Sequence, residues 1–313
     1  MLIFPKEFYQ SETRNDFFID STMKTVWAAE LEVLAAVAAV CEKYQLQWFA
    51  DWGTLLGAVR HNGFIPWDDD IDICMKRPDY QKLMEVLPKE LPKGWFVYNA
   101  MCGNKQEQFW SCVLNSDSIS IEKERLEKFH GCPFIVGVDI FPLDYLPRNQ
   151  SDAKMEEAVF NLIWKTVQLA KKNDKNKKDE KDIRNAVKRI EEICNVKISR
   201  AEDLVTQLWR LANELCMSYG EAESDKLVGY LFYARNKRVC FDKHWYDDVE
   251  YLPFENVELP VPIAYDEVLK VQYGDYMVFK QNGSAHDYPF YNKQLEQLRN
   301  IVKEMEEKAK QGG

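Results

Sequence analysis

Residues 66–73 read Pro66-Trp67-Asp68-Asp69-Asp70-Ile71-Asp72-Ile73. Four aspartates stand here among residues that belong inside a sheet: Trp67, Ile71, Ile73 and the following Cys74. On an extended strand alternate side chains share a face, so the spacing puts Asp68, Asp70 and Asp72 together. Three carboxylates on one face repel one another and resist desolvation, so unless fully exposed they need a cation. An all-oxygen donor set suits Mg2+, Mn2+ or Ca2+ rather than zinc. A helix-loop-helix calcium site beginning at Asp68 would need glycine at its sixth place, where Ile73 stands. The plain alternative is a solvated acidic turn, and the apolar setting weighs against it.

Working outward, Val136-Gly137-Val138-Asp139-Ile140-Phe141 holds one aspartate in an otherwise apolar strand. A neighbouring strand is where a two-metal phosphoryl-transfer centre finds a further carboxylate. Asp144, past Pro142, is a second and less rigid candidate. Upstream, Trp48 to Trp52 reads as a short strand that breaks at Gly53, with Thr54 capping a short helix through Arg60. Backbone N–H groups at such a turn bind anions, which makes Gly53 and Thr54 candidates for holding phosphate. Arg60 and His61 are candidates for contacting phosphate or acceptor, or plain surface residues. In Tyr273-Gly274-Asp275 a glycine between polar residues suits close backbone approach, so Tyr273 and Asp275 are candidates for lining a pocket. An ordinary turn fits them equally.

The wider pattern places these motifs. Apolar residues spaced by three and four predict a helix over 22–47, capped by Asp20 or Ser21. A second helix starts near Pro78 and stops at Pro88 or Pro92, and strands are expected at 95–101, 109–114 and 134–141. Residues 1–148 thus read as a mixed α/β catalytic core. Residues 149–238 read as a helical insertion, and 239–313 as a segment packing back on the core. The charged run 171–181 interleaves lysine with aspartate and glutamate, as a solvated face does.

Composition bounds the function. The chain has 313 residues, 46% hydrophobic and 29% charged, an ordinary globular balance. Its 41 Lys and Arg against 51 Asp and Glu give a net charge of −10, which argues against a nucleic-acid partner. Eight cysteines with no CxxC pair read as free thiols in a reducing compartment. A zinc site from Cys102, Cys112, His130 and Cys132 matches no standard spacing. The opening MLIFPKEFYQ is too short an apolar stretch for a secretory signal, and Val33 to Cys41 is half the length of a membrane span. The expectation is a cytoplasmic protein without a transmembrane segment, associating at most peripherally with the inner face of the membrane.

The run Gly53-Thr54-Leu55-Leu56-Gly57-Ala58-Val59-Arg60-His61-Asn62-Gly63-Phe64-Ile65-Pro66 and on through Ile73 resembles the LicD family of phosphocholine transferases, which has relatives in the fukutin group. Val138 to Asp144 looks like the family's second signature, and Pro253 to Met277 contains its C-terminal block. The resemblance implies a nucleotidyltransferase-like mixed sheet flanked by helices. It also implies phosphate binding at Gly53 and Thr54, and Mg2+ (or Mn2+) on Asp70, Asp72 and Asp139 with Asp68. The implied reaction is transfer of phosphocholine, or a related phospho-alcohol, from CDP-choline or another CDP-alcohol. The implied acceptor is a hydroxyl of a lipid-linked glycan such as teichoic acid or lipopolysaccharide, and CMP leaves. Thr54 stands where the family usually has serine. A glycosyltransferase or nucleotidyltransferase using Asp70 and Asp72, or a non-catalytic nucleotide-binding subunit, are the alternatives.

Overall fold

A hairpin of β1 (Glu12–Arg14) and β2 (Phe17–Ile19) leads into α1 (Ser21–Tyr44) in the computed structural model, which describes residues 1–99, 108–172, 174–280 and 288–311. Asp20 caps α1 by accepting from the Met23 N–H at 2.8 Å, satisfying one of the orphan donors of the first turn. The apolar face of α1, with Val26, Trp27, Leu31, Leu34 and Val37, is buried in the main core. After β3 (Phe49–Ala50) and α2 (Trp52–His61), the aspartate run delivers β4 (Asp72–Lys76) to the centre of a sheet. There follow α3 (Arg77–Glu90), β5 (Phe96–Tyr98), β6 (Ser111–Leu114), the short α4 (Lys123–Lys128) and β7 (Gly137–Pro147).

The sheet order is β3-β4-β7-β6-β5. Only the β4–β7 pair is parallel, so the sheet is mixed, as the sequence led us to expect. In that pair Asp72 is in register with Asp139. The two aspartates therefore sit side by side, about 5 Å apart across the ladder, although 66 residues separate them in the chain.

Beyond β7 the chain forms α5 (Gln150–Lys171), α6 (Lys177–Cys194) and α7 (Leu204–Cys216). They close over a second apolar core that includes Phe160, Ile163, Leu208 and Trp209. Phe109, just before β6, joins this core to the sheet, its ring 5.2 Å from Phe160 and 5.4 Å from Trp209. The region is not wholly helical. β8 (Ser224–Val228) pairs with the second half of β7, and β9 (Phe241–Asp242) pairs with β8, on either side of the single turn α8 (Tyr230–Tyr233). The hairpin β10 (Val249–Phe254) and β11 (Val257–Pro262), then α9 (Tyr265–Tyr273), return to the main core through Phe254, Leu259, Val261 and Leu269. Arg14 clamps this return, donating to both Glu255 carboxylate oxygens at 2.6 and 3.0 Å. The chain closes with α10 (Asn292–Gln311).

Two expectations need correction. β7 does not stop before Pro142 but runs through it, with Pro142 opposite Met75 in the parallel ladder. Asp144 is consequently rigid and fully buried, in a bidentate ion pair with Arg77 at 2.5 and 3.0 Å, and belongs to the packing between β7 and α3. α3 runs through Pro88 and stops at Glu90, just before Pro92, the second of the two stops expected. As for zinc, Cys102 lies outside the described residues, and both ring nitrogens of His130 are engaged, by Tyr9 at 2.9 Å and Glu32 at 2.7 Å. The seven cysteines described are free thiols. No helix among the described residues is long and apolar enough to cross a membrane.

Candidate active site

The junction of β3 and α2 is built around Asp51. Its side chain caps α2, accepting from the Trp52 N–H at 2.9 Å, and accepts also from Gln272 at 2.7 Å. Burial pushes the Asp51 carboxyl up to about 6. Sequence reading gave the cap to Thr54, but a cap precedes the first helical residue, and Thr54 is already the third residue of α2. Thr54 is 2% exposed, and its Oγ1 accepts from the Asp72 N–H at 2.9 Å. It positions β4 rather than facing the cleft. Trp52 holds a left-handed φ of +41°, a conformation that costs a non-glycine residue roughly 1–2 kcal/mol and turns the chain sharply into α2. Gly53 follows, and a Cβ on it would fall 2.3 Å from Asp68 Oδ2. Only glycine lets the helix backbone lie this close to that carboxylate.

Asp68, Asp70 and Asp72 alternate with buried Asp69 and Ile71, but only Asp72 is on a strand. Asp68 to Ile71 form the extended lead-in to β4, whose backbone is fixed by Trp27 donating to the Asp68 carbonyl at 3.1 Å and by the Asp139 N–H donating to the Ile71 carbonyl at 2.9 Å. Asp68, Asp70 and Asp72 nevertheless all line one cleft. Asp69, fully buried, accepts from the Phe290 N–H at 2.6 Å. One oxygen from each of Asp68, Asp69 and Asp70 lies within 4.8 Å of the others. Asp139 accepts from the Trp110 indole at 2.8 Å.

Burial and the charges of Asp70, Asp139, Asp68 and Asp51, in that order, hold the Asp72 carboxyl well above its ordinary value. Each of these influences opposes ionisation. A set of oxygen donors under this mutual repulsion fits a hard divalent cation. Burial, then Asp72, Asp68, Asp51 and Asp70, pushes the Tyr273 hydroxyl up.

These groups open into one cleft of about 950 Å³, within the usual span of ligand sites. Gly53, Arg60, Asp68, Asp70, Asp72, Asp139, Tyr273 and Asp275 all line it; Thr54 does not. Arg60 is held by donation to the Tyr276 carbonyl at 2.8 Å and by the Phe279 ring, 4.7 Å away. His61 does not line the cleft; burial, then Arg60, lowers its pKa to about 4. Five contributors escaped sequence reading. Asp51 follows a strand of only two residues, Trp110 looked like ordinary core, and Trp164, Trp209 and Arg235 come from the helical insertion, where no motif marked them.

With this geometry in hand, comparison with known proteins is informative. Residues 45–161, from the approach to β3 into α5, match the family described as LicD/FKTN/FKRP, nucleotidyltransferase domain. The chain contains a LicD-family domain. The site aspartates and Gly53 lie within it, while Tyr273 and Asp275 lie outside. Over 263 residues the chain is 25% identical to the lipopolysaccharide cholinephosphotransferase LicD of Haemophilus influenzae, covering 79% of this chain and 88% of that protein. It is 44% identical over 55 residues to an uncharacterized protein of Rickettsia prowazekii, 18% of this chain and 21% of that one. A Rickettsia typhi protein, also uncharacterized, is 28% identical over 151 residues, 45% of this chain and 44% of its own length.

Proposed function

We propose that this LicD-family protein is a Mg2+-dependent transferase. It moves phosphocholine, or a related phospho-alcohol, from its CDP ester to a hydroxyl of a cell-surface glycan such as lipopolysaccharide or teichoic acid, releasing CMP. The reading rests on the placement of Asp72 beside Asp139 in parallel register, with Asp68 and Asp70 facing the same cleft. The similarity to a cholinephosphotransferase supports the choice of cargo class.

Asp70, Asp72 and Asp139, with Asp68, would hold the metal. A Mg2+ held there would supply positive charge against the donor diphosphate and the charge developing on departing CMP. The start of α2, beside Gly53 at the cleft wall, is where the helix dipole favours an anion such as the donor phosphate. Arg60 adds a fixed positive charge to the wall. Asp139, oriented by the Trp110 indole, would hold a second ion or take the proton from the acceptor hydroxyl as it attacks. Tyr273 stays protonated beside these carboxylates and acts as a hydrogen-bond donor.

The test is a thermal-shift panel with Mg2+ and CDP-choline, CDP-ethanolamine, CDP-ribitol, CDP-glycerol and UDP-glucose, followed by CMP release. A true donor at a hundred times its Kd stabilises the fold by about 2.7 kcal/mol, a rise of several degrees in Tm. A Mg2+-dependent shift and CMP release with one CDP-alcohol support the proposal. A shift with UDP-glucose alone replaces it with glycosyl transfer.

A further inference from the structure

Val268 and Leu269 seat α9 in the main core, and Tyr273, its last residue, lines the cleft. Gly274 follows at a φ of +73°, and Asp275 and Tyr276 carry the wall onward. A glycine constrains its neighbours little, and the tie from Arg60 to the Tyr276 carbonyl lies beyond it. What fixes Tyr273 has to come from the helix side. Gln272 supplies it. Its amide nitrogen donates to Asp51 Oδ1 at 2.7 Å, the oxygen that also accepts the Trp52 N–H. The Asp51 N–H in turn donates to the Asp72 carbonyl at 3.0 Å. A line of hydrogen bonds thus runs from the last turn of α9 through Asp51 to the backbone of a site aspartate.

The other end of the amide says what this bond is for. Gln272 Oε1 is buried with no hydrogen-bond partner among the described residues. An unpaired buried carbonyl is destabilising, and a leucine of similar size would avoid it, so the amide is accounted for by its one bond to Asp51. Trp52, next to Asp51 in the chain, meets the Tyr273 ring edge-on at 6.1 Å, so both rings of that contact are tied to one carboxylate. We infer that Gln272 is a positioning residue, which through Asp51 holds Tyr273 against the aspartate end of the cleft. Its part in the reaction rests on the function proposed above, in which Tyr273 acts as a hydrogen-bond donor.

Two measurements on the full chain test this, and one needs no substrate. In Mg2+-dependent CMP release from CDP-choline, Tyr273→Phe and Gln272→Leu should each lower kcat/KM by about tenfold, the loss expected for one hydrogen bond to a charged group. The double variant should lose no more than about twofold beyond either. Asp51→Asn keeps an oxygen that can accept from Gln272 and cap α2, so it should lose less than about threefold. Gln272→Leu should melt as the wild type does, since leucine removes the unpaired acceptor along with the donor and Asp51 keeps the Trp52 N–H; Gln272→Met is the second apolar replacement. Without substrate, amide hydrogen exchange over 273–280 should quicken in Gln272→Leu but not in Asp51→Asn, with 72–76 unchanged in both. Multiplying losses from Gln272→Leu and Tyr273→Phe would overturn the inference, as would exchange in Gln272→Leu that is unaltered or quickened over 72–76 as well. An Asp51→Asn loss as deep as that of Gln272→Leu would also overturn it, by making Asp51 a needed charge rather than an acceptor. If the wild type releases CMP from none of the CDP-alcohols, the transfer reading fails, and the exchange measurement alone decides whether Gln272 holds Tyr273.

Discussion

Gly53→Ala isolates the fit between the backbone of α2 and the Asp68 carboxylate. The added Cβ would lie 2.3 Å from Asp68 Oδ2 and 3.4 Å from its Cγ, where ordinary contact begins near 3.4 Å. The oxygen must therefore retreat by about 1 Å, and a shift of that size in a positioned group costs on the order of 100-fold in rate. Stability should move the other way. Asp68 can yield by rotating, and alanine in a helix is favoured over glycine by roughly 0.5–1 kcal/mol. We expect an unchanged or slightly raised Tm, by up to about 4 °C at roughly 2–4 °C per kcal/mol. Turnover, read as Mg2+-dependent CMP release, should fall about 100-fold with a weakened Mg2+ requirement curve. The cause is checked in an Asp68→Ala background, which has no carboxylate to displace; there Gly53→Ala should cost less than about threefold, since the two changes act through one contact. Turnover of Gly53→Ala within about threefold of wild type, or an equal loss in the Asp68→Ala background, would refute the reasoning.

Asp72→Asn removes a carboxyl that its neighbours and burial hold against ionisation. With like charges about 5 Å apart worth roughly 1–3 kcal/mol between surface and bulk screening, the protein in EDTA should melt a few degrees higher, yet lose its Mg2+-dependent shift and its turnover; a lower Tm in EDTA would contradict this. Asp144→Asn strips the partner from buried Arg77, which costs about 3–5 kcal/mol. Tm should fall by roughly 10 °C while the donor KM of the folded enzyme stays near wild type, and a kinetic defect without destabilisation would place Asp144 in the chemistry. Glu156, buried on α5 with the Tyr230 hydroxyl beside it but short of hydrogen-bonding geometry, has its carboxyl pushed up from 4.5 to about 7 by burial. Between those two pH values the folded state binds the extra proton, so wild-type stability should fall as pH rises from 4.5 to 7 and then level. Glu156→Gln should flatten that slope in a series of melts; an unchanged slope would assign it elsewhere.

Much of the site could be read from the sequence because it depends on short-range geometry. Asp68, Asp70 and Asp72 all line the cleft, as their spacing suggested, although only Asp72 is on a strand, and an aspartate alone among Val138, Ile140 and Phe141 can only be on a strand. What escaped depended on partners distant in sequence. Thr54 looked like a phosphate ligand because a hydroxyl beside a glycine suits one, but its partner is the Asp72 N–H, 18 residues on. Pro142 suggested a strand end, since proline cannot donate to a ladder; the pairing tolerates it opposite Met75. β8 was hidden because Ser224-Asp225-Lys226-Leu227-Val228 shows no clean alternation, and its strand character comes from the waiting edge of β7. Trp164 and Trp209 gave no signal because tryptophan on a helix is as readily core as binding surface.

The length of β7 has an evolutionary consequence. Its first half carries Asp139 beside Asp72, and its second half carries the pairing with β8 that anchors the helical insertion. Because strand side chains alternate, a one-residue insertion or deletion inside 137–147 would rotate one half against the other, turning either Asp139 out of the cleft or the insertion off its seat. The turns between α5, α6 and α7 carry no such constraint. Relatives of this protein should therefore diverge freely in the size of the insertion, and with it in the wall it lends to the cleft, while the spacing along β7 stays constant.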